Sequence, residues 1–166
     1  GYIEQLDDEL LRISKESFDA LSFNCYALSP DHKKMNHALE ISGLPMIIGE
    51  YHFGTVDRGL AQSLWQVNSQ KERGDAFQYY TENAFAHRGL IGTGWFRWID
   101  QNINGRTDGE NYNCGFIDVT DRPYPYMVDA AIEAAKSLYE IHSGTKTPFH
   151  QAPNAVGHSP IPDLWE

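Results

Sequence analysis

Cysteine is scarce in this chain: Cys25 and Cys114 are the only two among 166 residues, too few for a disulfide framework. They could form one bridge or stand as two buried thiols. Basic residues are also in short supply, 13 Lys and Arg against 23 Asp and Glu, for a formal net charge of −10. A surface of that sign repels a phosphate backbone, so nucleic acid is not an expected partner. Without a basic cluster, an anionic membrane surface is not one either. No apolar stretch approaches the length of a membrane-spanning helix. The first residues, Gly1-Tyr2-Ile3-Glu4, lack the basic and apolar regions of a signal peptide. No pair of histidines has the spacing of a zinc protease, and no ligand spacing compels a metal, so no cofactor is expected. Asp100, Asn102, Asp108 and Glu110 are compatible with a cation, but loops of this composition are commonly turns.

Aromatic residues, in contrast, make up 13% of the chain, with four Trp and nine Tyr. That share fits an aromatic core, or a cleft that stacks on flat ligands such as sugar rings. The length suggests one domain or part of one.

Periodicity predicts a helix over Leu6 to Phe18, with Leu6, Leu10, Ile13 and Ser17 on its apolar face and Asp7, Asp8 and Glu9 in the first turn. A short strand follows over 20–26. Pro30-Asp31 opens a second helix over His32 to Ile41, stopped by Ser42-Gly43. The run Met46-Ile47-Ile48 reads as a strand buried on both faces, as in a parallel sheet. A long loop, 51–67, leads to Ser69-Gln70-Lys71-Glu72, a capping box that starts a helix to about His87. Leu90 to Trp98 is the third strand, and its glycines suggest close backbone approach. A second long loop, 99–122, precedes a helix over Tyr126 to Ile141 whose buried side is Met127, Ala131, Ala134, Ala135, Leu138 and Ile141. The tail, 144–166, reads as irregular, anchored by Phe149, Leu164 and Trp165. Strand-helix alternation argues an α/β fold with a parallel sheet.

In parallel α/β architectures the working residues sit at the C-terminal ends of strands. The three strand ends here offer Asn24 and Tyr26, then Glu50 and His52, then Trp98, Asp100 and Gln101. Side chains two apart on a strand share a face, so Asn24 with Tyr26, and Glu50 with His52, could converge on one mouth. Glu50 reads as a catalytic carboxylate or as a helix-capping or salt-bridged loop glutamate. Tyr26 reads as a hydroxyl holding that carboxylate ionised or as a core tyrosine, and His52 as a sugar contact or a structural hydrogen bonder. Trp95 reads as wall and Trp98 as the better platform. Arg58 and Arg106 read as contacts to substrate hydroxyls or as pins between their loops and nearby acids, the second being preferred. Carboxylate, tyrosine and tryptophan together suit glycoside chemistry.

The motifs Leu21-Ser22-Phe23-Asn24-Cys25-Tyr26, Ile48-Gly49-Glu50-Tyr51-His52-Phe53-Gly54 and Gly94-Trp95-Phe96-Arg97-Trp98-Ile99-Asp100-Gln101 resemble strands six, seven and eight of clan A retaining glycoside hydrolases. With Asp57-Arg58-Gly59 and the loop Gly105 to Asp118, the resemblance is greatest to the β-agarases of glycoside hydrolase family 50, and it covers about residues 7–143. It implies a C-terminal portion, residues 1–143, of a (β/α)₈ TIM barrel whose remainder lies upstream. It implies Glu50 as nucleophile, Tyr26 orienting it and Trp98 as sugar platform, with Asn24, His52, Asp100 and Gln101 as further substrate contacts. The acid/base Glu of the clan stands at the end of strand four, and no strand is expected before Ala20. The implied substrate is a galactan or agarose-type oligosaccharide, and the implied location secreted or periplasmic. The alternatives are a non-catalytic carbohydrate-binding or structural α/β domain, and a clan hydrolase of other specificity such as a β-galactosidase.

Overall fold

The computed structural model describes residues 1–157. A 3₁₀ turn, Ile3–Gln5, precedes α1 (Asp8–Ser17), β1 (Leu21–Asn24) and α2 (His32–Ser42). Then come β2 (Met46–Tyr51), β3 (Trp65–Gln66), α3 (Gln70–Phe85), β4 (Leu90–Trp95), α4 (Pro125–His142) and β5 (Val156–Gly157). β1, β2 and β4 form a parallel sheet in the order β1-β2-β4. The architecture is α/β, with α2 and α3 returning the chain to the start of the next parallel strand. Met46 and Ile48 are fully buried and Ile47 only partly. The core joins Phe23, Met46, Ile48, Tyr51 and Leu90 of the sheet to Met35, Ala76, Phe77, Tyr80, Met127 and Ala134 of the helices. Among the described residues no helix is long and apolar enough to cross a membrane.

Local chemistry sets the helix ends. Asp7 caps α1, its Oδ1 accepting the Leu10 N–H at 2.8 Å, so it precedes the first turn instead of belonging to it. Asp31 caps α2 in the same way through the Lys33 N–H, and Gly43 closes that helix with φ 68°, where glycine escapes the Cβ clash. Ser69 caps α3 by accepting from the Glu72 N–H at 3.2 Å. The reciprocal half of the box shifts by one residue: Glu72 accepts from the N–H of Asn68.

Several expectations need correction. The buried residues of α1 are Leu11 and Ser14, whereas Leu10 and Ile13 are exposed. Adjacent Leu10 and Leu11 allow two helical faces, and packing against α2 selects one. On α4, Met127, Ala134 and Ile141 are buried as expected, but Ala135 is exposed and Ser137 buried in its stead. The tail is not wholly irregular, since Val156–Gly157 pairs antiparallel with Trp65–Gln66, which itself lies in the first long loop. Phe149 is anchored through its backbone, its N–H donating to Glu82 and its carbonyl accepting from Asn83. Leu164 and Trp165 lie outside the described residues. Tyr2 makes a parallel bridge to Asn24, and the Asn24 N–H donates to the Gly1 carbonyl at 2.8 Å. β1 therefore has strand-like backbone on its other side, where the sequence predicts none. Cys25 and Cys114 are two buried free thiols, which burial pushes up to about 11 and about 12.

Candidate active site

The site begins with an irregularity in the sheet. β1 and β2 run in register from Leu21↔Met46 to Phe23↔Ile48, then skip Gly49, so that Asn24 stands across from Glu50. Asn24 Nδ2 donates to Glu50 Oε2 at 2.9 Å, and the Tyr26 hydroxyl donates to the same oxygen at 2.9 Å. Oε1 of Glu50 has no protein partner among the described residues. Burial, and after it the neighbouring Glu50 charge, pushes the Tyr26 pKa far up, so the phenol stays protonated and donating. β4 closes from the other side, where a Cβ on Gly94 would sit 2.5 Å from the Gly49 carbonyl oxygen. The close approach read from the β4 glycines is real at Gly94.

Glu50, Tyr26 and His52 line a cavity of about 170 Å³ with Tyr2, Leu64, Phe96, Arg106 and Glu110. Three aromatic rings and a carboxylate pair face one small volume. Larger hollows lie elsewhere, one of about 520 Å³ at the start of β4, the end of the strand remote from Glu50.

The remaining sequence-derived residues fall into other roles. His52 is buried with both ring nitrogens committed to backbone: Nε2 accepts the Leu64 N–H at 3.0 Å, so Nδ1 carries the proton and donates to the Phe96 carbonyl at 3.0 Å. Burial lowers its pKa to about 3, which keeps it neutral. It meets the cavity through its ring alone, edge-on to Tyr26 with centroids 4.8 Å apart. Asp100 is buried away from the cavity, accepting from the Tyr124 hydroxyl at 2.6 Å, the Gly115 N–H at 2.7 Å and the Asn113 amide. Gln101 is fully buried, donating to Glu110 at 2.7 Å and accepting the Tyr112 N–H at 2.6 Å. Neither Asp100 nor Gln101 lines the Glu50 cavity. This corrects their expected place among the residues at that mouth: long-range loop contacts claim their polar atoms. Trp98 stacks on Phe116 with centroids 6.0 Å apart and is 69% exposed, which leaves a ring face open outside the cavity. Trp95 sits in the aromatic wall and donates from Nε1 to the Cys114 carbonyl at 2.7 Å.

Arg58 lies 3.9 Å from its chain neighbour Asp57, too local a contact to fix a loop, whereas Arg106, 2.5 Å from Asp108 and 3.4 Å from Glu110, ties its own loop together. Arg106 also borders the cavity. Among the described residues no group of three or more His, Cys, Asp or Glu is placed to hold a metal ion.

Arg73 organises the loops behind the site. It is fully buried and donates from Nε to the Phe53 carbonyl at 3.1 Å, from Nη1 to Gln70 and Asn113, and from Nη2 to the Gly115 carbonyl. Burial presses its pKa down, and the Asp100 charge works against that. The helical pattern puts Arg73 on the buried face of α3, at i+3, i+4 and i+7 spacing from Ala76, Phe77 and Tyr80, but carries no signal of the loops it meets there. Tyr2 carries no local signal either, since its place beside Glu50 depends on the bridge to β1. Arg106 and Glu110 lie in a loop whose Asn/Asp/Gly content marks turns, and only their position against β2 makes them part of the site.

No family model matches the chain. A β-agarase A from Vibrio sp. (strain JT0107) is 40% identical over 129 residues, which are 76% of this chain but 12% of that protein. The chain thus spans about an eighth of the length of this curated relative. Among solved structures, PfGH50B is 38% identical with a TM-score of 0.77, covering 81% of this chain and 19% of that one. An exo-β-agarase is 36% identical, also with a TM-score of 0.77, over 82% of this chain and 18% of its own. The curated sequence relatives of this chain are β-agarases, and its neighbours in three dimensions include GH50 agarases.

Proposed function

We propose that this chain is the nucleophile-bearing segment of a β-agarase-like glycoside hydrolase, corresponding to strands six to eight of a (β/α)₈ barrel. The whole protein hydrolyses β-linked galactose-containing polysaccharide with retention. The observation that carries this reading is the two-donor grip on Glu50 Oε2 at a strand end. It orients the carboxylate and leaves Oε1 as the attacking atom. In the first displacement, an Oε1 lone pair forms a bond to the anomeric carbon as the glycosidic C–O bond breaks. The departing oxygen takes a proton from a carboxylic acid supplied outside this chain. In the second, that carboxylate deprotonates a water, which attacks the same carbon and frees Glu50. Retaining hydrolases hold the two groups about 5–5.5 Å apart. The open face of Trp98 and the rings of Tyr26 and Phe96 supply apolar surfaces for sugar rings.

The test uses the full-length protein that carries this chain. A 2-deoxy-2-fluorogalactosyl inhibitor is expected to add one glycosyl mass to the peptide containing Glu50. Glu50→Ala is expected to abolish hydrolysis of agarose and to recover turnover with azide, giving the inverted galactosyl azide. A label on another residue, or an active Glu50→Ala protein, overturns the assignment.

A further inference from the structure

Glu50 is not the only carboxylate in its cavity. Glu110 reaches the same volume from the loop between β4 and α4, and it is held in the same manner. Gln101 Nε2 donates to Glu110 Oε2 at 2.7 Å, and Arg106 Nη1 lies 3.4 Å from that oxygen. Gln101 is itself immobilised, because its Oε1 accepts the Tyr112 N–H. Oε1 of Glu110 has no protein partner among the described residues, and the side chain is a quarter exposed. A glutamate that served only to pin its loop would need no access to the cavity. Arg106 already has a nearer anchor in Asp108, at 2.5 Å, and lies over the Phe96 ring. The amide and the guanidinium both hold Oε2, which leaves Oε1 free to accept a hydrogen bond.

We propose that Glu110 is a specificity-determining residue that accepts a hydrogen bond from one hydroxyl of the sugar ring seated against Glu50, with Arg106 and Gln101 as its positioning residues. The inference rests on the hydrolase reading above. A galactose ring has an apolar face for Tyr26 and Phe96 and a rim of hydroxyls. A charged acceptor fixed at that rim discriminates strongly against a ring lacking the matching hydroxyl.

The experiment compares wild-type full-length protein with Glu110→Gln on a panel of β-linked galactose oligosaccharides, each lacking one hydroxyl of the ring that reacts. Glu110→Gln is expected to raise KM about tenfold on the complete substrate with kcat within about threefold. One member of the panel is expected to lose about tenfold in kcat/KM with the wild type and nothing further with the variant. Equal slowing of every member by the variant, or an unchanged KM, overturns the proposal. Should Glu110→Gln fail to fold, Glu110→Asp carries the same test, since it keeps the charge but withdraws it by one methylene. Glu50→Ala, run alongside, separates the two readings. If it is inactive while Glu110→Gln matches wild type, this inference falls alone; if it is active, the hydrolase reading falls.

Discussion

The hydroxyl of Tyr26 stands 2.9 Å from Glu50 Oε2, the oxygen that also takes the Asn24 amide. Asn24 ends β1 and Tyr26 lies two residues beyond it, and the slip of register past Gly49 sets Asn24 across from Glu50. Free rotation of Glu50 is removed from one side, and its other oxygen has no protein partner among the described residues.

Tyr26→Phe tests this grip. The ring keeps its packing against His52 and Tyr2, and only the hydrogen bond is lost. A hydrogen bond to a charged group contributes roughly 1.5–3 kcal/mol. Steady-state kinetics on the full-length protein should therefore show kcat/KM lower by about 10–100-fold, carried mostly by kcat, and the melting temperature should fall as well, because the same bond holds the folded state.

His52 makes folding acid-sensitive. Its pKa is about 3 when folded, because burial disfavours the cation, and about 6.5 in an unfolded chain. Between those values the unfolded state binds a proton that the folded state does not. Stability is thus fully retained above about pH 6.5 and falls as pH drops toward 3, by up to roughly 1.4 kcal/mol per pH unit. His87, lowered to about 4 by burial and by His32, adds to the same trend. Denaturant titrations at pH 7 and pH 4.5 should show a smaller acid loss for His52→Gln than for the wild type; an equal loss would exclude His52 as a source.

Arg73→Met removes the cation behind the site. The carbonyls of Phe53 and Gly115 and the oxygens of Gln70 and Asn113 lose their donor together, and Asp100 loses the nearby positive charge. Removing one member of a buried charged set typically costs about 3–5 kcal/mol. Equilibrium unfolding should register a loss of that size. Hydrolysis by the full-length protein should fall as well, since Phe53 lies two residues past the strand that carries Glu50.

The parallel α/β plan was legible because its signals are local: caps at Asp31 and Ser69, a stop at Gly43, and an apolar run at Met46-Ile47-Ile48. Asn24, Tyr26 and Glu50 could be brought together on paper because strand period and parallel order place them at one sheet edge. His52, Asp100 and Gln101 could not be sorted from them. A polar side chain at a strand end has the same local context whether it faces a cavity or a loop. Its partners decide, and for His52 these are Leu64 and Phe96, 12 and 44 residues away.

Patterning along the chain thus specified which residues form strands, where helices start and stop, and which carboxylate ends the central strand, because backbone geometry and short-range hydrogen bonds act between near neighbours. Packing of distant segments specified the rest. It turned α1 onto Leu11, bridged Tyr2 to β1, paired the tail with β3, and brought Arg106 and Glu110 to the cavity of Glu50. Those outcomes rest on contacts that exist only once loops remote in sequence exclude water between them, and no local pattern encodes which loop will meet which strand end.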